Sequence, residues 1–117
     1  MSSKKRKWKF RLRHIIEAIN RTKQYTAGIS CEQFVADPKT FDAVVRNLII
    51  VGEAARQIPP EIEAASPDLP WAEMRALRNF LTHEYDRFEV NIIWDTNRND
   101  LPPLVPGLEH LLQETVE

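Results

Sequence analysis

The sequence predicts an all-α protein, an antiparallel bundle of four principal helices with shorter ones between them. Two observations carry that expectation. Apolar residues recur at helical intervals along the chain, as in Trp8, Leu12, Ile15, Ile16 and Ile19. No stretch alternates apolar and polar residues in the manner of a half-buried strand. At 117 residues the chain makes one domain with one core. The expected layout is a basic, flexible N-terminal arm over residues 1–7 and a single helical domain over residues 8–117.

The first helix should run from about residue 8 into Gln24-Tyr25, with Gly28 as its terminator. Ser30-Cys31-Glu32-Gln33 has the Ser-x-x-Gln form of a capping box and should start a short helix over Phe34 and Val35, broken by Asp37-Pro38. A long helix follows, burying Phe41, Val44, Val45, Leu48, Val51 and Ala55 and ending at Pro59-Pro60. Gly52 lies inside it, at a cost of about 1 kcal/mol relative to Ala, which points to close approach of a neighbouring helix. Glu53 reads as a solvated carboxylate, with an arginine across the bundle as the alternative partner. The proline-punctuated residues 59–70 leave room for only a short turn of helix.

Pro70 suits the first turn of a third main helix, expected to fray near Tyr85 or Asp86. Phe88, Ile92, Ile93 and Trp94 mark a fourth. Leu101-Pro102-Pro103 resets the chain before a last amphipathic helix through Leu104, Leu108, Leu111 and Leu112. Three tryptophans and the many aliphatic positions exceed what a slim bundle hides alone, which predicts a homodimer.

The third helix carries the chemistry. Trp71, Met74, Leu77 and Leu81 fall on one apolar stripe. Arg75, Arg78, Asn79, Thr82 and Asp86 fall across the opposite arc, with His83 and Tyr85 at its shoulders. A guanidinium, an amide, an imidazole and a phenol bind phosphate and move protons. An ordinary surface helix fills such an arc with Lys and Glu. Read without that pattern, a histidine near a helix end is a dipole partner. On that reading His110 and His14 are ordinary structural or surface residues.

Composition narrows the possible classes. The longest aliphatic run, Leu48-Ile49-Ile50-Val51, is too short to span a bilayer, and the basic N-terminus lacks the apolar centre of a secretory signal. A cytoplasmic protein without membrane partners is expected. One cysteine, Cys31, excludes an intrachain disulfide, and the three separated histidines offer no metal-ligand spacing. No metal and no cofactor are expected. Residues 1–23 carry nine of the sixteen Lys and Arg side chains against one acid, Glu17. That segment suits nucleic acid or an acidic partner, or simply solvates the chain end.

Arg78-x4-His83-x-Tyr85 resembles the signature of the HepT-like HEPN proteins, toxins of a toxin–antitoxin system. Gly52-Glu53-Ala54, Pro70-Trp71, and Trp94-Asp95-Thr96 leading to Asp100-Leu101-Pro102-Pro103-Leu104 agree in order and spacing. The resemblance covers the chain from about residue 8 onward. It implies a HEPN-type bundle, a homodimer, and a metal-independent endoribonuclease acting on tRNA or mRNA. It also implies a minimal nucleotidyltransferase as antitoxin, which adds AMP to Tyr85. On this reading Arg78, His83 and Asn79 are catalytic and Tyr85 is the modified residue.

The residues support that chemistry independently. Metal-free RNA cleavage needs a base, an acid and positive charge on the transition state. Histidine serves as acid or base near neutrality, and arginine offers a fixed cation with a fork that matches phosphate oxygens. Asn79 could orient the imidazole or bind a phosphate oxygen, while Thr82 is expected to bond back to its own helix. The angular count also puts the Tyr85 hydroxyl in one cleft with Arg78. The competing class is a non-catalytic helical partner or substrate of a nucleotidyltransferase, in which Tyr85 matters and His83 only positions it.

Overall fold

The computed structural model describes residues 2–82 and 85–114, with side chains described at 7–82, 85–86 and 89–113. Every regular element among them is helical. The order is α1 (Ser2–Tyr25), α2 (Cys31–Ala36), α3 (Pro38–Ala55), α4 (Pro60–Ala65), α5 (Trp71–Phe80), α6 (Arg87–Asp95) and α7 (Val105–Glu114). A π-helical turn, Thr96–Asp100, and a 3-10 turn, Pro102–Leu104, join α6 to α7. The all-α bundle is as expected. The first helix begins at Ser2 rather than near residue 8, so the backbone of the basic segment continues α1.

α3 is the central helix, packed between α1 and α5, while α7 lies on α1 and α6 on α2. Side-chain contacts give the directions. Arg21, late in α1, bonds Asn47 in the middle of α3, whereas Arg11 faces the end of α3 near Gln57. Gly52, late in α3, meets Met74 and Arg78 of α5, whereas Phe41, early in α3, meets Tyr85 beyond it. Both pairs are therefore antiparallel.

Burial follows the periodicity. Trp8, Leu12, Ile15 and Ile19 of α1 interdigitate with Val44, Leu48 and Val51 of α3 in one core, which Met74, Ile93 and Leu108 extend. Phe41 and Val45, expected inside, are only partly buried. Of the three tryptophans behind the dimer expectation, Trp8 is 2% and Trp71 4% exposed within the single chain, and Trp94 is partly buried.

The caps are chemically specific. Ser30 and Gln33 close the capping box of α2 in both directions. Gly28 takes a positive φ of 77° after α1, a conformation costly for a side-chain-bearing residue. Asp37 does more than break α2: it caps α3 through its bonds to Thr40, with Pro38 at the first helical position. The π turn clips the chain to the end of α1. Asn97, 1% exposed, donates to the Thr26 hydroxyl at 3.1 Å. Arg98 donates to the Thr26 and Ile29 carbonyls while lying over the Trp94 ring, so carbonyls that follow α1 gain a cationic donor.

The third main helix differs most from expectation. α5 stops at Phe80, capped at Leu81, instead of reaching Tyr85. The next element takes Asp86 for itself. Asp86 is extended (φ −84°, ψ −179°) and forms a reciprocal capping box with Glu89 at the start of α6. A residue serving as N-cap cannot also continue the preceding helix. Asp86 therefore belongs to α6, not to the polar arc of α5.

Candidate active site

Arg78 lies in the last turn of α5, where glycine brings α3 very close. A Cβ added to Gly52 would stand 2.7 Å from the Arg78 backbone nitrogen and 3.2 Å from the Met74 carbonyl oxygen. The glycine thus fixes the height of Arg78 against α3, as its position inside a helix suggested. The next residue, Glu53, accepts from Arg78 Nε at 3.5 Å. The arginine partner, the less favoured alternative for Glu53, is therefore the one present. With the two side chains 44% and 57% exposed, the pair orients the guanidinium more than it stabilises the fold, contributing about 0–1 kcal/mol.

The guanidinium opens into a cleft of about 710 Å³ between α1 and α3. Arg11, His14 and Arg21 of α1 and Arg56 beyond α3 share it. Its two carboxylates are both engaged, Glu53 with Arg78 and Glu17 with Arg21 at 3.8 Å. Arg21 also donates to Asn47. Arg11 and Arg56 form no ion pair among the described residues. The cleft is thus basic in net terms, with an imidazole and four guanidinium groups. It is suited to an anion with several oxygens.

Tyr85 is elsewhere. Its ring packs against Phe41 and Phe80, and its hydroxyl donates to the Leu81 carbonyl. It lines a separate depression with Phe41, Arg46 and Glu53. This corrects the angular argument that placed the hydroxyl in the cleft of Arg78. With α5 ending at Phe80, helical counting does not extend to residue 85. The two hollows nevertheless adjoin, because Ile50 and Glu53 line both. Burial, and secondarily the Glu89 carboxylate, push the Tyr85 phenol above its ordinary pKa.

Asn79 is exposed and is not among the residues that line the cleft with Arg78. Its carbonyl accepts the Thr82 hydroxyl at 3.0 Å, so Thr82 does bond back to its helix. His83 lies outside the described residues. No group of His, Cys, Asp and Glu suited to a metal ion occurs among the described residues, and no described helix is long and apolar enough to cross a membrane.

The sequence profile described as ribonuclease HepT-like matches residues 15–111. The chain belongs to the HepT-like ribonuclease family. A Thermococcus cleftensis protein named "Probable ribonuclease HepT" is 39% identical over 107 residues, which is 92% of this chain and 97% of that one. A protein of Caldanaerobacter subterraneus subsp. tengcongensis, provisionally named an RNase, is 36% identical over 88% of this chain and 92% of its own length. A Methanocaldococcus jannaschii protein with a similar provisional name is 33% identical over 90% and 96%. No solved structure matches significantly.

The fold adds to this HepT-like chain's site what the motif does not contain. Arg11, His14 and Arg56 join Arg78, although His14 reads from sequence as an ordinary surface residue. One signal was available. Arg11, His14, Glu17 and Arg21 recur at intervals of three and four residues, a polar stripe facing away from Leu12, Ile15 and Ile19.

Proposed function

We propose that this chain is a metal-independent endoribonuclease, the toxin of a toxin–antitoxin pair, cleaving RNA by acid–base chemistry of His83 with Arg78 as the phosphate-binding cation. The observation that carries the reading is Arg78, seated by Gly52 and Glu53 at the edge of a cleft with more guanidinium than carboxylate. Membership of a ribonuclease family supports it.

In the proposed reaction a base removes the proton of a ribose 2′-hydroxyl, and the 2′-oxygen attacks the adjacent phosphorus. The bond from phosphorus to the 5′-oxygen breaks, an acid protonates that oxygen, and a 2′,3′-cyclic phosphate remains. Arg78 neutralises charge on the non-bridging oxygens as the phosphorane develops. Imidazole suits either proton transfer near neutrality. In a two-fold homodimer the His83 groups of both protomers would serve one cleft, one as base and one as acid. Asn79, exposed at the end of α5, then assists as an orienting amide.

The antitoxin of this reading is a minimal nucleotidyltransferase. The Tyr85 oxygen attacks the α-phosphorus of ATP, pyrophosphate leaves, and an AMP diester forms. Its hydroxyl must first release the Leu81 carbonyl and lose a proton that the fold retains, so the transferase has to supply the base. The added anion would stand beside the Ile50–Glu53 boundary shared with the cleft, opposing RNA by bulk and charge.

The deciding experiment is RNA cleavage by purified protein in excess EDTA, comparing the parent chain with His83→Ala and Tyr85→Phe. The reading requires cleavage by the parent and by Tyr85→Phe, unaffected by chelator, and none by His83→Ala. If the unmodified dimeric parent is as inert as His83→Ala on total tRNA and mRNA, the chain is instead a non-catalytic partner of the transferase.

A further inference from the structure

The cleft contains more than cleavage chemistry needs. Arg78 of α5, paired with Glu53 of α3, occupies one edge, while Arg11 and Arg56 bring two guanidinium groups with no ion pair among the described residues. Beside them on α1, the imidazole of His14 lies 4.3 Å, centroid to centroid, from the ring of Phe10, at an interplanar angle of 56°. Phe10 is 52% exposed, the most exposed large apolar side chain among the described residues. It is one turn from the cleft-lining His14. Cations with no ion pair among the described residues, beside the exposed Phe10 ring and the half-buried His14, suit a chain that alternates phosphate and flat base.

We propose that the α1–α3 side of the cleft is a single-stranded RNA subsite beyond the cleavage centre. Arg11 and Arg56 hold backbone phosphates there, and the Phe10–His14 pair stacks one unpaired base. The inference rests on the ribonuclease reading and adds its substrate class: unpaired RNA, not duplex. Bases inside a duplex are already stacked on each other and hide their faces, so Phe10 can engage only a base free to turn out. Stacking of this kind tolerates any base, because every base has a π-face. The expected preference is therefore for unpaired strands rather than for a sequence.

The test uses the full chain carrying His83→Ala, so that binding is measured without cleavage. Fluorescence anisotropy compares a short unstructured RNA, its duplex, and the same RNA with a single abasic site moved along it. The single strand should bind more tightly than the duplex, and one abasic position should weaken binding by roughly 5- to 100-fold. Phe10→Ala should weaken binding to the same degree and abolish sensitivity to that abasic position, while Phe10→Trp retains both. Arg11→Gln with Arg56→Gln should lower the slope of log affinity against log salt by about 1.4, roughly 0.7 for each phosphate that is no longer neutralised.

Equal binding of single strand and duplex, or indifference to every abasic position, overturns the proposal. So does a Phe10→Ala defect that accompanies a changed mass in sedimentation, which would assign Phe10 to a protein interface. Cleavage by the unsubstituted chain is measured in parallel. If the chain cuts RNA and these patterns are missing, only the subsite is wrong. If it neither binds nor cuts any RNA, the ribonuclease reading fails and the subsite with it.

Discussion

Arg78 and Tyr85 show how little a residue's chemistry says without its surroundings. Arg78 keeps a planar fork half in solvent, steadied by one carboxylate. Arg78→Lys preserves the charge but not the fork, so kcat should fall by about 100-fold or more with the melting temperature nearly unchanged. Single-turnover cleavage beside a thermal melt checks both. Tyr85 is held as a neutral phenol by burial and by Glu89. Because its folded pKa is raised, its contribution to stability is fully present below the unfolded tyrosine value near 10 and is lost as pH rises through the folded value. Denaturant midpoints measured up the alkaline range should therefore fall in the parent, and Tyr85→Phe should remove that part of the slope. An unchanged slope would mean that the phenol is not held neutral.

At the scale of elements, two short-range devices determine where the site residues fall. Gly52 lets α3 and α5 touch backbone to backbone. Gly52→Ala gains helix propensity of about 1 kcal/mol, but its Cβ would lie 2.7 Å from a backbone atom that cannot rotate away. Overpacking of about 1–3 kcal/mol should win, lowering stability and displacing Arg78. Gly107→Ala is the contrast, since its Cβ would meet only the movable end of Leu69 at 3.3 Å. Urea denaturation should show the first variant less stable than the parent and the second equal or better. The Asp86–Glu89 capping box is the other device. It starts α6 at Asp86, which therefore cannot belong to α5. The Asp-x-x-Glu spacing was present in the sequence, but reading Asp86 as the tail of one helix obscured its role as the head of the next.

For the whole molecule, the bundle buries Trp8 and Trp71 within one chain, while Phe10 stays exposed. On the proposed mechanism, dimerisation would complete the site's chemistry rather than satisfy the burial of these two tryptophans. If base and acid come from two protomers, specific activity should fall on dilution in step with loss of the dimer in sedimentation. Activity that stays constant while the mass halves would place a complete site in each chain. The central position of α3 makes its core the stability centre. Leu48→Ala, at 0% exposure, should cost about 2–5 kcal/mol in urea denaturation without touching the cleft.

The sequence by itself determined the helical class, most element positions, the Ser30 capping box, the close approach at Gly52 and the family motif. Each of these is set by residues within a few turns of one another, or by a pattern short enough to survive as a string. Where α5 ends, the separation of Tyr85 from Arg78, and the arrival of Arg11, His14 and Arg56 beside Arg78 were decided only by tertiary structure. A helical wheel fixes faces within one helix and is silent about which helix lies opposite. The apolar stripe of α1 burying against α3 turns its arginine and histidine stripe toward a residue far away in sequence. That choice belongs to the packing of the whole core.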